Sequence, residues 1–220
     1  MEGKMMTPAN RLGYVSARPR EGNNWHTPEL YLGLVREVLK QIDLDPFSSE
    51  AANERVRALR YFGPDEDALL QDWAPTRSEP LPAGFIHVQT VFMNPPYSSP
   101  LAGRAVGKFI EEFNKGSFDE GVVLMNAATD TGWFHALAGI ASALCFTKGR
   151  IQFVDGDGNK NVSGNTKGQC FFYVGAFEER FKRVFDRVGL VMMTTPRRRS
   201  ANSEPITGMD PGKQDSMTFK

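Results

Sequence analysis

Ile86-His87-Val88-Gln89-Thr90-Val91-Phe92-Met93-Asn94-Pro95-Pro96-Tyr97 decides how the rest of this chain is read. The apolar run from Ile86 to Met93 predicts a strand. An amide, two prolines and an aromatic ring follow it at once. Ser99 and Pro100 then suit the start of a helix with an apolar stripe of Val106, Phe109, Ile110 and Phe113. Strand, stiff corner and helix form half of a parallel-sheet unit, and open parallel sheets bind their ligands beyond the carboxyl ends of their strands. The corner at Asn94 falls at such an end.

The same alternation extends in both directions. Upstream, Leu30, Tyr31, Leu34, Val35, Val38 and Leu39 fall on one helical face, with Thr27 as N-cap and Pro28 at the first helical position. Ile42 to Asp45 reads as a short strand. Downstream, Gly121 to Met125 is a compact strand, and Trp133, Phe134, Leu137, Ile140 and Ala141 make another helical stripe. Ala143 to Phe153 and Gln169 to Gly175 read as two strands joined by a turn-rich segment. Phe177, Phe181, Val184, Phe185 and Val188 mark a last helix. This pattern predicts an α/β fold: a mainly parallel sheet with helices on both faces and an antiparallel hairpin near the C-terminus.

The ends differ from this middle. Residues 1–22 are rich in Pro, Arg, Gly and Asn and read as a flexible arm; residues 194–220 read as a disordered tail carrying Arg197-Arg198-Arg199. One domain, residues 23–193, lies between them, and residues 74–84 form its main irregular loop. The chain has 220 residues, 40% of them hydrophobic, enough for one real core. Lys plus Arg number 26 and Asp plus Glu number 26, so a nucleic-acid partner has to be met by a local basic patch. Cys145 and Cys170 sit in apolar runs without metal-ligand spacing and read as buried reduced thiols. No apolar run reaches membrane-spanning length and no signal segment opens the chain, so a soluble intracellular protein is expected.

The chemistry suited to Asn94-Pro95-Pro96-Tyr97 follows from what such a corner can offer. An exocyclic amine on an aromatic ring is a poor nucleophile, because its lone pair is delocalised into the ring. The Asn94 side-chain oxygen and the Pro95 backbone carbonyl can each accept one amine hydrogen. Together they localise the lone pair against an incoming methyl group. Pro95 and Pro96 hold the loop in one shape, and Tyr97 offers a flat face for an extruded base. The plain alternative is a proline-rich turn with a half-buried tyrosine.

The tetrapeptide resembles the catalytic signature of amino-methyltransferases that use S-adenosylmethionine, a signature shared with enzymes acting on RNA guanine and protein glutamine. Flanking segments narrow the likeness. Asn24-Trp25-His26-Thr27-Pro28-Glu29-Leu30, Asp43-Leu44-Asp45-Pro46-Phe47-Ser48, and Asp67-Ala68-Leu69 with Trp73 resemble blocks of the phage-type DNA N6-adenine methyltransferase family. So do Thr129-Asp130-Thr131 with Trp133-Phe134, and Gly149-Arg150-Ile151-Gln152-Phe153. The likeness spans residues 24 to 175 in family order.

That resemblance implies a Rossmann-like methyltransferase sheet and S-adenosylmethionine as cofactor, with site-specific methylation of adenine N6 in double-stranded DNA. It gives catalytic roles to Asn94, Pro95, Pro96 and Tyr97. Trp25, Thr27 and Pro28 fall to the cofactor, the last two at its methionine end. Asp45, Pro46 and Phe47 stand where larger relatives carry a glycine-rich loop, Asp67 matches the acid that reads the cofactor's adenine amine, and Asn94 also borders the cofactor. The chain departs from the family in having Phe47 for a small Cys, no Gly-x-Gly after the first strand, and no clear acid for the cofactor ribose. It further implies a phage or prophage protein working in the cytoplasm of a bacterial host. The oligomeric state and recognition sequence stay open, as do two other readings: methylation of RNA or protein glutamine, and a degenerate relative that binds DNA without turnover.

Lys148, Arg150, Lys160 and Lys167, among Gly, Asn, Ser and Thr, suit phosphate and base-edge contacts and are the expected DNA-binding residues. No metal is expected. Asp155-Gly156-Asp157-Gly158-Asn159 lacks the glycine and terminal glutamate of a calcium loop. His26, His87 and His135 read as packing or surface residues.

Overall fold

The computed structural model describes residues 26–74, 89–154 and 165–196. Among them, seven strands form one sheet in the order β2-β1-β3-β4-β6-β5-β7. The strands are β1 (Leu44–Asp45), β2 (Arg60–Tyr61), β3 (Thr90–Met93), β4 (Glu120–Asn126), β5 (Ala143–Thr147), β6 (Gln169–Val174) and β7 (Gly189–Met193). Neighbours among β2, β1, β3 and β4 pair in parallel, whereas β6 runs antiparallel to both β4 and β5, and β7 antiparallel to β5. The carboxyl ends of β1 to β5 therefore share one edge with the starts of β6 and β7.

Side-chain alternation builds two cores. Phe92, Val122, Leu124, Phe171 and Tyr173 face one side, where α1 (Glu29–Leu39) and α5 (Glu178–Phe185) cover them. Val91, Met93, Val123, Met125, Cys170 and Phe172 face the other, under α3 (Leu101–Lys115) and α4 (Gly132–Ile140). Strand neighbours pointing to opposite faces is the period of two that a sheet buried on both sides requires. Cys145 and Cys170 are free thiols in this interior.

The expected α/β sheet, helices on both faces and closing antiparallel pair are all present, with local differences. Leu30 is 63% exposed, and Leu32 takes a buried place in its stead. Thr27 does not cap α1; Pro28 holds the N-cap position and no side chain caps the helix. The strand expected to run to Phe153 ends at Thr147. Three elements were not expected: α2 (Glu50–Val56), capped by Ser49, and strands β2 and β7. Beyond β7 the chain stays tied to the sheet, because the Thr194 amide donates to the Ser142 carbonyl at 3.0 Å. The arm over 1–22, most of the irregular loop over 74–84, the turn-rich segment from Asp155 to Gly164 and residues 197–220 lie outside the described residues.

Strand β7 approaches β5 so closely that position 189 admits only glycine. A Cβ there would lie 2.2 Å from the Phe146 carbonyl oxygen and 2.8 Å from Cys145 Sγ. Neither the backbone nor a buried thiol can retreat cheaply. Gly189→Ala is expected to lower the free energy of unfolding by about 1 to 3 kcal/mol, as read by urea denaturation.

Candidate active site

From β1 the sheet grows outward to β2, and from β3 it grows the other way to β4. A crevice opens beyond the carboxyl ends of strands at such a reversal. Here Asp45 and Phe47 enter it after β1, Phe92 and Asn94 at the end of β3, and Ala52, Arg55 and Val56 from α2. His26, Thr27 and Leu32 close it from the start of α1.

Asn94 is pinned at both ends of its amide. Its Nδ2 donates to Thr27 Oγ1 at 3.0 Å, and its Oδ1 accepts from the Tyr97 hydroxyl at 2.7 Å. Thr27 is available because it does not cap α1; it is buried and turned to Asn94 instead. Pro95 is buried and Pro96 half-buried, which holds the backbone of the corner in place. The Tyr97 hydroxyl also reaches the Leu124 carbonyl at 3.4 Å. Burial pushes the phenol well above its ordinary range, so Tyr97 stays a protonated donor. Its ring meets Phe153 edge-on, with centroids 6.2 Å apart. The ring is partly buried and packs against the cores on both faces of the sheet.

Phe153 belongs to a strap, residues 150–154, that leaves β5 and crosses the carboxyl edge of the sheet. Its far end is fixed by an antiparallel bridge: His26 N donates to the Val154 carbonyl at 2.8 Å, and Val154 N to the His26 carbonyl at 3.0 Å. Its near end is fixed by Gln169, whose Oε1 accepts from Ile151 N at 3.0 Å. His26, expected to be an ordinary packing or surface residue, therefore borders the crevice and anchors its wall. His135 is exposed on α4, and His87 lies outside the described residues.

Asp45 is the charged group buried deepest in the crevice, 3% exposed. Its Oδ1 accepts from Phe47 N at 3.2 Å. Burial outweighs that bond and pushes its carboxyl up to about 7. Pro46 is buried beside it, and Phe47 stands edge-on to Trp73 with centroids 6.4 Å apart. Asp67 is not part of the crevice lining; its carboxylate accepts from Leu69 N at 3.1 Å and closes a turn. Lys148, Arg150 and Lys167 are exposed where β5 ends and β6 begins, on the same edge as Asn94. Lys160 and Trp25 lie outside the described residues. Among those described, no cluster of His, Cys, Asp and Glu could hold a metal ion, and no helix is long and apolar enough to cross a membrane.

Sequence reasoning missed His26, Leu32, Ala52, Arg55, Val56, Phe92, Phe153 and Gln169 at or around the crevice. His26 and Phe153 stand in segments that resemble family blocks, though nothing local showed their contacts; the others carry no local signal and arrive through the packing of α1, α2, β3 or β6.

A mixed α/β sheet with a crevice at its switch point, bordered by an amide-bearing proline corner, places the chain among α/β proteins of open-sheet architecture. Within that class the chain is specific. It matches the family described as DNA N-6-adenine-methyltransferase (Dam) over residues 16–199 and belongs to that family. It is 23% identical over 188 residues to a DNA N-6-adenine-methyltransferase of Escherichia phage T1, covering 75% of this chain and 71% of that protein. No solved structure matches it.

The buried Asp45 carboxyl sets a pH dependence of stability. The unfolded chain releases this proton near the ordinary 3.8, while the folded chain keeps it until about pH 7. Between these values the native state binds more protons than the unfolded one, so stability falls as pH rises. The contribution is full below pH 4 and is lost by about pH 7. Asp45→Asn is expected to flatten this decline, as measured by denaturant unfolding at half-unit intervals from pH 4 to 8.

Proposed function

We propose that this protein methylates the N6 amine of adenine in double-stranded DNA at a specific sequence, with S-adenosylmethionine as methyl donor bound in a Rossmann-like crevice. Family membership supports the DNA adenine assignment. The single observation that carries the chemistry is the orientation of Asn94 at the crevice, held by Thr27 on one side and Tyr97 on the other.

The crevice residues suit the methyl donor. Asp45 is a buried carboxylate short of a counter-charge, which an ammonium or sulfonium would supply. Phe47, Leu32 and Phe92 give apolar walls, and Thr27 and Asn94 add polar contacts. When bound, S-adenosylmethionine brings an electrophilic methyl group and its own leaving group. The chain's work is then alignment and the exclusion of water.

An amide oxygen has two lone pairs. Tyr97 occupies one on Asn94 Oδ1, which leaves the other for an adenine N6 hydrogen. The Pro95 carbonyl takes the second hydrogen. With both hydrogens held, the nitrogen lone pair is freed from the ring and directed at the methyl carbon. The N–C bond forms as the S–C bond breaks, and the extra proton on nitrogen passes to water. The flipped base meets what remains accessible of the Tyr97 ring, which Phe153 steadies from within the protein. Lys148, Arg150 and Lys167 hold phosphates of the surrounding duplex, a role the neutral total charge leaves to this local patch.

Recombinant protein incubated with labelled S-adenosylmethionine and plasmid DNA is expected to place label on adenine N6 at a recurring sequence. Asn94→Ala should reduce the rate by about a hundredfold or more, the usual scale for removing a preorganised acceptor or donor, while the protein stays folded. Label appearing in RNA or protein but not DNA would overturn the reading. Calorimetric affinity for S-adenosylmethionine is expected to weaken as pH falls from 8 to 6, because protonation removes the Asp45 charge. Asp45→Asn should lose that dependence.

A further inference from the structure

Gln169 is among the most buried polar residues described, 1% exposed, and its amide serves three segments at once. Its Oε1 accepts from Ile151 N at 3.0 Å. Its Nε2 donates to the Lys167 carbonyl at 2.9 Å and to Asn126 Oδ1 at 3.2 Å. Those partners belong to the strap, to the lead into β6, and to the last residue of β4. Asn165 adds a second clasp, its Nδ2 donating to the Ile151 carbonyl at 3.1 Å and its Oδ1 accepting from Lys167 N at 3.1 Å.

A buried amide bonded through both its oxygen and its nitrogen is costly to disturb, and it restrains what it binds. Ile151, 0% exposed, is sealed into the core directly beside this junction. Two residues on, Phe153 sets its ring against Tyr97, and Tyr97 donates to Asn94. Glutamine at the first position of β6 thus lies one rigid span away from the amide oxygen of the corner, with exposed Arg150 and Lys167 flanking it.

We propose that Gln169 is a positioning residue: by tethering Ile151 to the β4–β6 end it holds Phe153 against Tyr97 and so fixes the direction of the Asn94 oxygen. This rests on the assignment of Asn94 as the methyl-transfer corner. The side chain touches no reacting atom. Its effect travels through the strap, and a displacement of about an ångström at a reacting centre can cost on the order of a hundredfold in rate.

Three variants test it: Gln169→Leu, Phe153→Ala and the double variant, with Ser142→Ala as a control. Ser142 donates to the Gly175 carbonyl at the opposite end of the sheet, so its loss weakens the fold without touching the strap. Gln169→Leu is expected to lower kcat for DNA methylation by roughly tenfold to a hundredfold while shifting KM for S-adenosylmethionine by no more than about twofold. The same substitution in the Phe153→Ala background should cost little further, since the route is already cut. Ser142→Ala should lower Tm and leave kcat alone. Multiplying rate losses in the double variant, or an unchanged kcat in Gln169→Leu, would overturn the proposal.

Amide hydrogen exchange reads the tether independently of turnover. Gln169→Leu should expose the amides of Ile151 to Val154 and raise exchange at Tyr97, and Ser142→Ala should not. Should Gln169→Leu fail to fold, Asn126→Ala removes one anchor of the glutamine and is expected to give the same exchange pattern at smaller amplitude; full protection there sinks the tether. A wild-type protein that transfers no methyl to DNA, yet shows this exchange pattern, would refute the methyltransferase reading while leaving the tether in place.

Discussion

The crevice depends on a chain of three polar groups: the Thr27 hydroxyl, the Asn94 amide and the Tyr97 hydroxyl. One link is long-range, joining the start of α1 to the end of β3, and the other is local, joining that end to the loop after it. Asn94 is half-buried, and an amide in such a place has few energetically acceptable orientations. Satisfying its nitrogen with Thr27 and one lone pair with Tyr97 turns the remaining lone pair into a fixed acceptor. Fixing an acceptor before the substrate arrives is what preorganisation means in energetic terms, because no reorganisation then falls on the reacting state. The prolines on either side of that arrangement contribute by removing backbone alternatives.

Thr27 shows how far the sequence could be read. A threonine followed by proline before an apolar helix carries the local signature of an N-cap, and local reasoning assigns it there. The fold uses Pro28 at that position and spends the threonine hydroxyl on Asn94, a partner 67 residues away. Of the other residues the sequence singled out, Asp45, Phe47 and Asn94 do line the crevice, and each stands in a pattern packed into a few consecutive residues. Phe153 stands in a segment with family likeness and Gln169 in none, and the place of both is set by what they touch. β7 was missed for a similar reason. Gly189-Leu190-Val191-Met192-Met193 follows a helix at once and exposes Leu190 and Met192, so it lacks the alternation and turn signals that announce a strand. Its place is set by β5, which leaves room only for glycine at its start.

Asp45 presents the reverse case, a residue whose position was legible and whose electrostatics were not. The sequence places it at the end of a strand before proline, where a chain entering a crevice would be expected. What it cannot show is that burial so outweighs the Phe47 amide bond that the carboxyl titrates near 7. A carboxylate in that condition is a poor structural element, because burying its charge costs free energy without an opposing charge. It is reasonable as part of a binding surface, where a cationic ligand restores the balance. The missing Gly-x-Gly bears on the same point: with Ser49 capping a short α2 soon after Phe47, side chains rather than a glycine-lined backbone form this part of the crevice.

Topology explains why the basic rim and the Asn94 corner are neighbours here at all. Had β6 been parallel to β5, the connection would have crossed to the far edge of the sheet before returning. Because the pair is antiparallel, the whole connection from Lys148 to Gly168 begins and ends at the carboxyl edge, beside Asn94. That single reversal puts Lys148, Arg150 and Lys167 on the rim and sends residues 150–154 across the crevice mouth to His26. A neutral chain, with 26 basic and 26 acidic residues, can thereby present local positive charge where a polyanion would meet the pocket. The wall of the crevice and the basic rim are then parts of one covalent segment, and whatever fixes that segment acts on both.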